Sequence, residues 1–167
     1  APVFIFFGKI SLLIGLIEAS HLALLFAHLS AVSTFYFCSR TLGHRALFAA
    51  GGSLLYSFSF YLCHRSLSHY SFTLAYIVPA QLLSTWLIGS GHQILARRRG
   101  QFFCLLAAFA TGFGNPYFGF GYGQLLALAL IYRAASTRRG NLNLGLSCLA
   151  LFVATLMATN YSSLLAM

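Results

Sequence analysis

The run QFFCLLAAFATGFGNPYFGFGYGQLLALALIY, residues 101–132, decides how this chain folds. It is predominantly apolar and far longer than the about 20 residues that a bilayer-spanning helix needs. Yet its centre holds Gly112, Gly114, Pro116, Gly119, Gly121 and Gly123. Proline removes a backbone donor and glycine weakens a helix, so one straight helix is not expected here. The segment kinks, breaks within the membrane, or turns back as a hairpin. The halves, about Gln101 to Phe113 and Phe118 to Tyr132, each fall short of a full span. A broken hairpin sheltered by neighbouring protein is the preferred reading, because exposed backbone cannot face lipid.

The rest of the chain calls for the same solvent. Of 167 residues, 59% are hydrophobic, 16% aromatic and only 7% charged, whereas a soluble domain carries about a quarter charged residues. A water-soluble particle could not be coated with so little polar surface. Four further stretches qualify as spans: about Ile10 to Phe37, Ala46 to Cys63, Ser71 to Gly91 and Leu142 to Leu165. The expected fold is an all-α integral membrane protein, one polytopic domain over residues 1–167. It forms a bundle of five to six transmembrane helices whose fourth segment is broken by Gly and Pro.

Charge bears on the number of spans. Ten basic residues face the single acid Glu18, and the arginines sit in short clusters between apolar runs. That placement suits membrane loops rather than the basic face a nucleic-acid partner needs. With five spans, Arg40, Arg45, Arg97, Arg98 and Arg99 lie on one side, against Arg65, Arg133, Arg138 and Arg139 on the other, which is no bias. If the chain reverses at the glycine-rich turn, the last loop changes sides and the balance becomes eight to one. Positive loops gather on one side of a membrane, so charge favours six segments.

Candidate chemistry is sparse. Glu18, His21 and His28 stand at spacings of three and seven, which places them on one helix face with the hydroxyls of Ser11 and Thr34 farther along. Ionisable groups at membrane depth mark a proton path or a buried partner. The bland reading, in which Glu18 caps its own helix or pairs with an adjacent subunit, is favoured, since a relay would continue through acids this chain lacks. Arg97, Arg98 and Arg99, with Arg133, Arg138 and Arg139, are candidates for lipid headgroups or an acidic partner. The cysteines form no CxxC pair, and the remaining histidines lack metal-ligand spacing. Neither a metal nor another cofactor is expected on this chain. A phospholipid is. Tyr36, Tyr61, Tyr70, Tyr76, Tyr117, Tyr122, Tyr132 and Tyr161 suit an interfacial belt, and Gly51-Gly52 suits close helix packing. There is no Ser/His/Asp constellation, no phosphate loop and no second carboxylate, so a self-contained enzyme has little to work with.

HRSL, from His64 to Leu67, resembles the His-x-Ser-Leu that ends the third helix of cytochrome c oxidase subunit III. VPAQLLSTWLIGSG, from Val78 to Gly91, is similar to the opening of that family's fourth helix, with Ser84 replacing Asn and two residues inserted. His92, Arg99, Leu106 and Thr111 resemble its next loop and helix, and Arg40 with Gly43-His44 resembles its Gly-His-His loop. The resemblance covers roughly Arg40 to Arg133. The chain departs from the family in its shorter length, its single Trp86, and Ser57 and Ser59 where the third helix carries a carboxylate. It implies a shortened, non-catalytic subunit of a mitochondrial respiratory complex in the inner membrane. Such a subunit packs on a catalytic partner, holds lipid and supports proton uptake there. FAAGGSLLYSF, from Phe48 to Phe58, is similar instead to subunit 6 of NADH:ubiquinone oxidoreductase. A lineage-specific structural or lipid-binding subunit is the third expectation.

Overall fold

In the computed structural model, residues 2–59, 75–114, 116–136 and 142–165 are described, with side chains from Phe6 to Tyr161. Among the described residues the chain is all helix, without strands. The helices are α1 (Pro2–Ile14), α2 (Leu16–Thr41), α3 (Ala46–Ser57), α4 (Val78–Ser90), α5 (Arg98–Phe113), α6 (Pro116–Ala135) and α7 (Leu142–Leu165), with a 3₁₀ turn at Gln93–Ala96. They form two compact units, Ala1–Ala80 and Gln81–Met167. Two helices, Leu16–Thr41 and the Leu142–Tyr161 part of α7, are long and apolar enough to cross a membrane.

In the N-terminal unit the expected single helix from Ile10 to Phe37 is two helices. Gly15 breaks it with φ +97°, a left-handed conformation that only glycine adopts without strain. α1 then folds back along α2. The rings of Phe7 and Phe26 stand 5.9 Å apart, whereas one continuous helix would separate them by about 28 Å. The contact face of α2 is Ala19, Ala23, Ala27 and Ala31, one small residue per turn, all buried. Its bulky residues Leu22, Leu25, Phe26 and Leu29 are exposed. α3 lies on the other flank of α2, where Gly52 leaves only room for the ring of Phe35; a Cβ there would stand 3.0 Å from it. Gly51 faces open space, so one glycine of the pair serves close packing.

The C-terminal unit answers the question posed by residues 101–132. α5 ends at Phe113 and α6 starts at Pro116, with Gly114 closing the first helix by donating its amide to Thr111 O. α7 supplies the ruler for direction. Gly112 of α5 packs on Thr155, and Thr159 donates to Gly112 O at 3.0 Å. On α6, Gly119 sits beside Phe152 and Leu156, and Leu130 reaches Gly145. Rising numbers on α6 therefore meet falling numbers on α7, while Gly112 lies at the same end as Gly119. The chain has therefore reversed between the end of α5 and the start of α6, and the two helices run antiparallel. The helices extend to 16 and 20 residues, longer than the halves read from sequence. α4 and α5 are likewise joined by a turn at Gly91, which has φ +62°. There, His92 N bonds to Leu87 O and Gly91 N to Ile88 O, a Schellman closure. Gly43-His44 closes α2 by the same pattern, through His44 N to Ser39 O and Gly43 N to Arg40 O.

Candidate functional site

Glu18 occupies the first turn of α2, where its carboxylate folds back over Gly15; a Cβ there would stand 2.6 Å from Oε2. A negative charge at this end of a helix is stabilised by the macrodipole and the free amides. His21 is exposed one turn on. His28 has a different task. Its Nδ1 lies 2.9 Å from Ser57 O, and the Ser57 hydroxyl in turn donates to His28 O at 2.9 Å, a reciprocal clamp between α2 and α3. The imidazole also stacks flat on Phe58 with centroids 5.3 Å apart. The seven residues from His21 to His28 rise about 10 Å along the helix, beyond direct proton exchange. The structure thus ties His28 to α3, and among the described residues no hydrogen bond or ion pair joins any two of the three groups. Ser11 and Thr34 spend their hydroxyls on Gly8 O and Ser30 O of their own helices.

The interior of the C-terminal unit holds a polar seam that sequence reasoning missed. Gln81, buried on α4, donates its amide to Thr111 Oγ1 at 3.1 Å and to Phe118 O at 3.4 Å, tying α4 to both arms of the hairpin. Thr111 passes its hydrogen to Ala107 O, and Thr155 bonds to Leu151 O, so these hydroxyls are satisfied on their own helices. Tyr122 is a correction. Expected in an interfacial belt, it is fully buried, edge-on to Phe152 at 5.4 Å. Its hydroxyl lies beside Ser84 without an aligned hydrogen bond among the described residues. The spacing carried the signal: the buried face of α6 is Gly119, Tyr122, Leu126, Leu130 and Arg133, a single stripe at helical period. Tyr117, Tyr132 and Tyr161 are exposed, and Tyr36 and Tyr76 are half-buried; Tyr61 and Tyr70 lie outside the described residues.

Arginines collect at the end of this unit opposite the reversal. Arg97, Arg98 and Arg99 are exposed at the start of α5. Arg133 closes the α6 stripe and is only 6% exposed, its guanidinium lying over Gly91 at the end of α4, where a Cβ would overlap it. A cation at the C-terminal ends of two helices complements both macrodipoles. Of the six arginines singled out by sequence, Arg133 is therefore turned inward and the triplet outward; Arg138 and Arg139 lie outside the described residues, as do His64 and His69. Among the described residues no three His, Cys, Asp or Glu side chains come together. In comparisons with known proteins, no family model, no curated protein and no solved structure matches this chain.

Proposed function

We propose that the chain is an integral, non-catalytic subunit of a larger membrane assembly, with both units surrounded by hydrocarbon. The observation that carries this is an inverted packing pattern. A helix of a water-soluble protein buries its bulky apolar face and exposes its polar one. Here α2 buries four alanines and exposes Leu and Phe, and α5 buries Gly100, Cys104, Ala107, Ala108, Thr111 and Gly112 while exposing Phe102, Leu106, Phe109 and Phe113. Small residues inside and large apolar ones outside are what helix packing in lipid selects, because lipid tails compete with Leu but not with close backbone approach. The antiparallel pair of α5 and α6 supports six segments and the eight-to-one distribution of arginines.

The finer reading is a respiratory-chain complex of the mitochondrial inner membrane, with the chain most similar to a shortened cytochrome c oxidase subunit III. The ordered local matches between Arg40 and Arg133 support it, and so does an interior whose polar groups are spent on helix packing. In that role the chain packs against a catalytic partner and presents lipid to it. Mild-detergent extraction followed by native electrophoresis and mass spectrometry tests the proposal. The expected result is co-migration with a haem–copper subunit. Migration alone, or with the membrane subunits of an NADH dehydrogenase, contradicts the assignment.

A further inference from the structure

The C-terminal unit has six arginines and no acid. Three of these arginines open α5, where the helix dipole already presents positive charge. Such a conflict between local charge and local field marks a place completed from outside. What completes it is indicated by the residues that follow. Arg98 is one turn before Phe102, and Phe102, Leu106, Phe109 and Phe113 continue at spacings of four, three and four, so one face of α5 runs from guanidinium to bare hydrocarbon. All of these side chains are exposed, Phe102 by 65%. From Phe102 to Phe113 the stripe is about 16 Å long, close to half of a roughly 30 Å hydrocarbon core. Arg99, on the neighbouring row, adds a second fork at the same level, and Arg97 at the N-cap a third.

We infer that this face of α5 binds one anionic phospholipid. Arg98 and Arg99, assisted by Arg97, hold its phosphate through bidentate hydrogen bonds, and an acyl chain lies along Phe102, Leu106, Phe109 and Phe113. The inference rests on the membrane reading and deepens it by placing a single lipid on one face of α5, with the triplet choosing the headgroup and the apolar stripe seating the chain. An acidic protein segment would use the arginines but leave the 16 Å apolar stripe below them, about 11 residues of rise, without a role.

The test uses the full chain in phosphatidylcholine vesicles containing a minority of phosphatidylglycerol, with retained lipid identified by native mass spectrometry. Wild type is expected to retain phosphatidylglycerol preferentially. At about fivefold per arginine, Arg97→Gln/Arg98→Gln/Arg99→Gln is expected to weaken retention roughly a hundredfold. The charge-matched Lys9→Gln/Arg40→Gln/Arg45→Gln keeps it. Equal loss in both triple variants, or no enrichment in wild type, overturns the site. Displacement of the lipid by polyglutamate overturns it in favour of an acidic protein partner. Should the glutamine triple variant fail to reconstitute, wild-type enrichment and the polyglutamate competition still decide. A wild-type chain that enters phosphatidylcholine vesicles without enriching phosphatidylglycerol refutes only this inference; one that does not enter them refutes the membrane reading.

Discussion

The two units solve the same problem with different materials. In the N-terminal unit, α2 meets its neighbours through a row of alanines and one polar clamp, His28 to Ser57. In the C-terminal unit the contact is closer and more polar: glycines of α5 and α6 fit against Thr155 and Phe152 of α7, and Gln81 bridges α4 to both arms of the hairpin. On the membrane reading proposed above, in which no hydrophobic driving force acts between helices, the difference lies in what glycine contributes. It brings backbones near enough for van der Waals contact and short hydrogen bonds to hold them.

The contrast can be broken most forcefully at Gly112. A Cβ there would overlap Thr155 and stand 2.9 Å from Phe152 O, backbone that cannot yield. Gly112→Ala should destabilise the C-terminal unit by about 3 kcal/mol in a reversible detergent-denaturation titration. The same substitution at Gly51, which faces open space, should be neutral or stabilise by up to about 1 kcal/mol through helix propensity. Comparable losses at both sites would show that glycine acts through the unfolded chain rather than through contact.

Gly91→Ala comes next. It combines a left-handed φ of +62° with eviction of the Arg133 guanidinium, and about 2 kcal/mol is expected by the same titration. Restoring space with Arg133→Ala in the same chain should recover part of that loss, which a double-mutant cycle reads directly. Smaller still are the polar bridges. Gln81→Leu in the C-terminal unit and Ser57→Ala in the N-terminal unit should each cost about 1 kcal/mol, the usual range for hydrogen bonds between helices in lipid. A cycle between Gln81 and Thr111 should show coupling; one between Gln81 and Ser57 should not.

Much of this was legible where several residues agreed. Gly114 and Pro116 together, in a run too long for one span, announced the reversal, and the charge distribution agreed with it. Gly15 was not legible, because a lone glycine within an apolar run is often tolerated inside a helix; only its positive φ and the fold-back of Phe7 onto Phe26 disclose the break. Glu18, His21 and His28 share a helix face by spacing, yet spacing is silent on which neighbour each side chain finds. His28 finds Ser57, which sequence places 29 residues away on another helix. Tyr122 was mistaken for an interfacial residue because tyrosines crowd the ends of apolar segments. Its register with Leu126 and Leu130 gave the better clue.

The account depends on which side of each helix meets hydrocarbon, and cysteine labelling measures that directly. In a chain whose four native cysteines are replaced by alanine, Arg97→Cys, Phe102→Cys, Phe109→Cys and Phe113→Cys would be introduced singly, reconstituted into vesicles, and exposed to a membrane-impermeant maleimide with both faces open. The account predicts rapid reaction at position 97 and protection at 102, 109 and 113 until detergent dissolves the bilayer. Equal reactivity at all four positions in intact vesicles would contradict it, because the bulky face of α5 would then be meeting water.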